Sequence, residues 1–165
     1  MTEEIRQIVE ALGLQPHPEG GYYKEIFRSE EKVDQNALPK RYDGSRHFLT
    51  AIHFLITKEN ASFFHKVNSD EQWYFHQGGT ARIHIVDEVG NYEYKDLGGR
   101  LNGDESLFAN VDRLKWFGVE VIKGDFVLCS CTVAPGFEFA DFELANYDEF
   151  VKSFPDLKEI ADRLC

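Results

Sequence analysis

Within SFFHKVNSDEQWYFHQG (residues 62–78), His65 and Glu71 are an imidazole and a carboxyl on what reads as a buried pair of short strands. Inside a mostly apolar pocket, desolvation raises a carboxyl pKa and lowers an imidazole pKa, while mutual attraction pushes both the other way. Such a pair can move a proton near neutral pH. Read structurally, the same residues make a His–Glu hydrogen bond beneath a sheet, because ion pairs that only hold a fold also perturb pKa values. The residues alone leave both readings standing.

Other side chains can shape a ligand site around this pair. In EGGYYKEIFRSE, two adjacent glycines permit a sharp turn or a close backbone approach, and Tyr23, Lys24 and Arg28 follow as donors of different reach. Trp73, Phe75, Phe137 and Phe139 recur at alternating positions, which suits a stacking wall for a sugar or base as well as it suits a core. Alternation puts His84 on the face of Arg82 and Val86, but period alone does not say which way that face looks. His53, in TAIHFLI, reads as a core histidine, and His76 and Tyr74 point outward if Glu71, Trp73 and Phe75 point inward. Cys129 and Cys131 share one face of an apolar strand and read as reduced core thiols, since structural zinc wants four ligands.

The spacing of His65, Glu71 and Gly78 resembles the first motif of the cupins: histidine, any residue, histidine, three or four residues, glutamate, six residues, glycine. Two further blocks, LGLQPHPEGGYYKEIFRSE (12–30) and CTVAPGFEFADFELA (131–145), together with SDEQWYFHQGG, make the chain similar to the cupin-5 family, DUF985. The resemblance implies an all-β cupin jelly-roll sandwich or barrel with short N- and C-terminal helices. It also implies a site inside the barrel that holds His65 and Glu71.

A metal is the usual cupin expectation, and the motif residues speak against it here. Val67 stands at the second histidine's place; in the other register Phe63 stands at the first, where the family pattern favours histidine. In the second motif region, GDESLFANVDRLKWFG (103–118), Asp112 and Leu114 replace the proline and glycine, and Trp116 or Phe117 lies near the last imidazole's place. That turn and that ligand are expected to be lost, so no bound metal or other cofactor is expected.

The functional expectation is a small-molecule binding protein for a sugar or nucleotide-sugar, with His65 and Glu71 at its centre and Tyr23, Arg28, Trp73, Phe75, His84 and Phe137 around the ligand. The alternative is a metal-independent sugar epimerase or isomerase in which His65 is the general base, Glu71 orients it, and a tyrosine or second histidine returns the proton. A metal-dependent cupin enzyme is the remote third reading. On this view His65→Ala removes a pocket group at little cost in stability, whereas Phe75→Ala costs roughly 3–5 kcal/mol as a buried aromatic deletion.

The elements that must position these residues are legible in outline. EEIRQIVEAL (3–12) places Ile5, Ile8, Val9 and Leu12 at helical spacing, and Gly13 is a natural C-terminal cap. From Gly21 to about Thr132 the chain runs as short β-rich segments bounded by Gly, Asn and Asp, with a hairpin turn at Gly90-Asn91. Asn146 and Glu149 have capping-box spacing, and Pro155 marks the first turn of a last short helix.

A length of 165 residues is most simply one domain. A net charge of −11 argues against nucleic acid and anionic membrane surfaces as partners, since both need clustered Lys and Arg. Three cysteines without a secretory start suggest the cytoplasm. A homodimer is expected from the cupin resemblance.

Overall fold

Ile5, Ile8, Val9 and Leu12 lie one helical turn apart and need an apolar surface to cover. In the computed structural model, which describes residues 1–100 and 103–165, they form α1 (Glu3–Leu12). Thr2 caps its start by accepting the Ile5 N–H, and Gly13 ends it in the left-handed region at φ +62°. Ile5 and Leu14 pack on Leu55 and Phe126, on the outer face of the sheet.

Among the described residues twelve strands follow: β1 (Gln15–Pro16), β2 (Tyr22–Arg28), β3 (Lys32–Val33), β4 (Arg46–His47), β5 (Thr50–Thr57), β6 (Ser62–Val67), β7 (Asp70–Val86), β8 (Tyr92–Leu97), β9 (Glu105–Ser106), β10 (Phe108–Val111), β11 (Trp116–Ala134) and β12 (Phe142–Leu144). Ten of them form one sheet in the order β1-β2-β5-β11-β7-β8-β9, with β10 on β7 and β6 bridging β11 and β12. β3 and β4 form a separate small ribbon.

The long antiparallel pair β7 and β11 is the spine, and a bend in it divides the sheet. Before the bend β7 pairs with β10, and after it with β8. β11 pairs first with β6 and then, from Phe126 to Val133, with β5. Glycine makes the bend possible. A Cβ on Gly79 would lie 1.7 Å from the Lys123 carbonyl oxygen, and one on Gly78 2.3 Å from that of Phe126. The two halves thereby enclose one interior, where Phe54, Ile56, Trp73, Ile83, Phe117 and Cys129 are buried together.

Two helices close the outer face of the other half. α2 (Tyr147–Ser153) is capped by Asn146, whose side chain accepts the Glu149 N–H, and a 3-10 turn begun by Pro155 leads into α3 (Lys158–Leu164). Phe150, Leu157, Ala161 and Leu164 cover Phe64 and Val86. No described helix is long and apolar enough to cross a membrane.

One local expectation is corrected. The turn before β11 survives without its glycine, because Leu114 itself adopts a left-handed conformation at φ +63°. Hydrogen bonds from Leu114 N–H to the Val67 carbonyl (2.9 Å) and from Arg113 N–H to Asp70 (2.8 Å) hold it there, against a penalty that a β-carbon normally incurs.

Candidate functional site

The site begins with the strap between α1 and β2. His17 N–H donates to the Gly21 carbonyl and Gly20 N–H to that of His17, closing a turn that needs positive φ at both Gly20 (+100°) and Gly21 (+70°). A Cβ on Gly20 would sit 2.0 Å from the Ala61 carbonyl oxygen, so only glycine lets the strap lie this close to the barrel. Phe63 N–H then donates to the Glu19 carbonyl at 2.7 Å, stitching the strap to β6. His17 and Glu19 are thereby turned inward.

There they meet His65. The His65 Nδ1–H donates to the Phe63 carbonyl at 2.7 Å, which leaves Nε2 to accept, and Nε2 lies 3.2 Å from Glu19 Oε2. Burial holds His65 down to about 3 and, with the charge of Glu71 nearby, pushes Glu19 well above the usual carboxylate range. The consistent arrangement is a neutral acid donating to a neutral imidazole, with Ser62 Oγ donating to the other Glu19 oxygen at 2.8 Å. Glu19 N–H donates to His17 Nδ1 at 3.3 Å, and burial lowers His17 to about 4.

Glu71 is the second buried carboxyl. Burial raises it to about 7, opposed only weakly by the neighbouring Cys131 thiol and Trp73 indole. The indole Nε1 itself makes no hydrogen bond, so Glu71 is held less firmly than Glu19. Burial also pushes the Cys131 thiol up, keeping it protonated beside the carboxyl.

These four groups converge on a cavity of about 300 Å³, walled in part by Tyr23, Ile52, Phe54, Val67, Phe137 and Phe139. Arg28 sits at its rim. Its guanidinium donates to Glu138 at 2.7 Å, to both oxygens of Glu25 at 3.0 and 2.8 Å and to the Phe137 carbonyl at 3.3 Å, so two carboxylates already match its charge.

Of the residues singled out in the sequence, His65, Glu71, Tyr23, Arg28 and Phe137 line this cavity. Trp73, Phe75 and His84 do not. Trp73 points inward with Glu71, yet it is fully buried edge-on to Phe54 and Phe117 and belongs to the core. Phe75 lies further along the barrel, half-buried against Gly99. His84 has the opposite parity to Glu71 and Ile83 and is held on the outer face by Tyr92 (2.8 Å) and Glu120 (3.1 Å). The expected His65–Glu71 pair is likewise replaced, because the partner of His65 is Glu19. His53 is not enclosed in the core: it and His76 both meet Ser130 on the outside of the sheet.

Sequence reasoning missed His17 and Glu19, although both stand in the quoted block PHPEGGYY. The available signal was chemical: a histidine and a glutamate two apart, beside a double glycine that must approach other backbone closely.

The residues do not fit a metal of the usual cupin kind. Among the described residues no three His, Cys, Asp or Glu side chains are grouped to hold one. Both nitrogens of His65 are committed to protein partners, Val67 contributes only methyl groups, and the Phe117 ring packs 4.1 Å from the His65 ring.

Solved structures agree with the architecture. A structural-genomics protein from Shewanella oneidensis is 31% identical, with a TM-score of 0.87 over 96% of this chain and 94% of its own. A hypothetical protein from Leishmania major is also 31% identical with a TM-score of 0.87, covering 100% of this chain and 99% of its own. Oxalate decarboxylase from Bacillus subtilis is 18% identical with a TM-score of 0.55, over 91% of this chain and 36% of its own, a likeness of fold alone. No curated protein matches the chain. The model of the cupin superfamily family DUF985 matches residues 6–145, and with these neighbours it places the chain in that family.

Proposed function

We propose that the cavity binds a small, uncharged carbonyl compound of about monosaccharide size and moves a proton within it, with Glu71 as the acid–base group. The observation that carries this reading is the convergence of two buried carboxyls and two imidazoles on one aromatic-walled cavity, with Glu71 as the carboxyl free of a strong hydrogen-bond donor. A carboxyl that titrates near neutrality suits both removal and return of a proton. His65 supports the site rather than serving as its base, because both of its nitrogens are engaged and burial makes it a poor proton acceptor.

Size and charge narrow the ligand. A volume of about 300 Å³ lies at the small end of ligand sites, which favours a monosaccharide over a nucleotide-sugar. Arg28 is already balanced by Glu25 and Glu138, and Glu19 and Glu71 lie within, so an anionic ligand would enter an unfavourable field.

Proton NMR in D2O with a panel of neutral aldoses and ketoses tests the proposal. The wild type should exchange the proton next to the carbonyl for deuterium, and Glu71→Gln should lose that exchange while still binding. Binding without turnover is the second reading, supported by the Ser62–Glu19–His65 chain, which is already internally satisfied. Saturable binding without exchange in the wild type would establish it, and neither binding nor exchange across the panel would remove both.

A further inference from the structure

We infer that His17 is a neutral hydrogen-bond donor to the ligand's carbonyl oxygen, facing the same substrate as Glu71; this rests on the proton-transfer reading above. Three observations on the imidazole lead there.

The first is its tautomer. Nδ1 accepts the Glu19 N–H at 3.3 Å and faces Oε2 of the neutral Glu19 acid at 3.4 Å, so the proton of the neutral ring stands on Nε2. The second is the state of that Nε2–H. Among the described residues it meets no acceptor, although the side chain is only 7% exposed and lines the cavity. That donor therefore opens on the cavity with no protein group to bond, where a ligand or a water can meet it. The third is rigidity. The ring stands edge-on to Tyr23 at 4.5 Å, Phe54 at 5.9 Å and Phe142 at 6.2 Å, and stacks on Phe139 at 6.1 Å. That cage sets the direction of the donor before a ligand arrives, and burial keeps the ring neutral down to about pH 4.

A fixed neutral imidazole is suited to a carbonyl oxygen on which charge develops. In the step, the Glu71 carboxylate takes the proton from the carbon beside the carbonyl. The C–H electron pair becomes the C=C bond of an enolate, and the carbonyl π pair moves to oxygen, where the His17 Nε2–H bonds to it. Return of the proton from Glu71 to carbon, after exchange with solvent, restores the carbonyl with no net change in atoms or electrons. This narrows the ligand to a compound with an uncharged carbonyl flanked by a carbon-bound hydrogen, as in an open-chain ketose or aldose.

The test uses the whole chain with dihydroxyacetone and D-fructose as probes. Nitrogen-15 NMR should show His17 protonated on Nε2 alone from pH 5 to 9, and addition of a probe should shift the Nε2–H signal. His17→Phe keeps the aromatic cage and removes the donor, and deuterium exchange should fall on the order of 100-fold, as for loss of one oxyanion donor. His17→Gln, which restores an N–H, should recover much of that loss. Protonation on Nδ1, a His17 signal unmoved by both probes, or unchanged exchange in His17→Phe would each overturn the inference. Undiminished exchange in His17→Phe leaves the role of Glu71 intact. Loss of exchange in Glu71→Gln together with a probe-shifted His17 supports both, whereas a shifted His17 with no exchange in the wild type keeps the donor and removes the proton transfer.

Discussion

Burial alone raises the Glu71 carboxyl from 4.5 to about 7, and this has a consequence for stability. Because the folded pKa is above the unfolded one, the protonated form is favoured by folding. Its contribution is complete below about pH 4.5 and is lost as pH rises through 7. The change corresponds to about 3 kcal/mol. Glu71→Gln should therefore gain on the wild type by about that amount between pH 4.5 and pH 8, measured by urea unfolding at both. A constant difference would mean that Glu71 is not desolvated. His65 was expected to be removable at little cost, and its burial reverses that. His65→Ala should lose roughly 2–4 kcal/mol, because packing on Phe117 disappears and Glu19 loses a partner in the interior. Half-buried Phe75 should cost less than the fully buried aromatic it was taken to be.

At the scale of elements, the bend in β7 and β11 has the strictest requirement. Gly79→Ala puts a methyl group into the Lys123 backbone, which a side-chain rotation cannot relieve. It should cost roughly 2–5 kcal/mol in a thermal or denaturant melt, and a change under 0.5 kcal/mol would show that the strands are not locked there. The Leu114 turn makes a graded case. Leu114→Gly should be tolerated within about 1 kcal/mol, since relief of the left-handed strain offsets the lost side chain, whereas Leu114→Ile should lose about 1–2 kcal/mol because a β-branched residue fits that region poorly. Equal stability of the two variants would argue that residue 114 is not left-handed in solution.

For the molecule as a whole, the open edge of β2 is the feature to explain. β1 pairs only with Tyr22 and Tyr23, and among the described residues Lys24–Arg28 has no strand on the side away from β5. Ile26 and Phe27 are exposed on that edge. An apolar open edge invites another strand, and we propose that a second copy covers it, making a homodimer. Light scattering at micromolar concentration should give twice 19.0 kDa, and Ile26→Lys with Phe27→Lys should return it to the monomer mass. A wild-type mass of 19.0 kDa would refute the dimer.

Features set by neighbours in the chain were legible without coordinates. The α1 helix with its Gly13 cap, the Gly90 turn, the Asn146 cap and the shared face of Glu71 and Trp73 follow from dihedral preferences and the two-residue strand period, which act over a few residues. The family blocks carried the jelly roll in the same way, because each is a run of such local signals in a given order. Only the tertiary structure decided which carboxyl meets His65. Glu19 reaches it because the strap docks on β6, a contact between segments distant in sequence that depends on Gly20 fitting against Ala61. Which face of β7 is the interior, and hence the exclusion of His84, was likewise settled by closure of the sheet and by the C-terminal helices that cover its other side. A strand's period separates two faces but carries no sign, and burial of one of them against the rest of the chain supplies it.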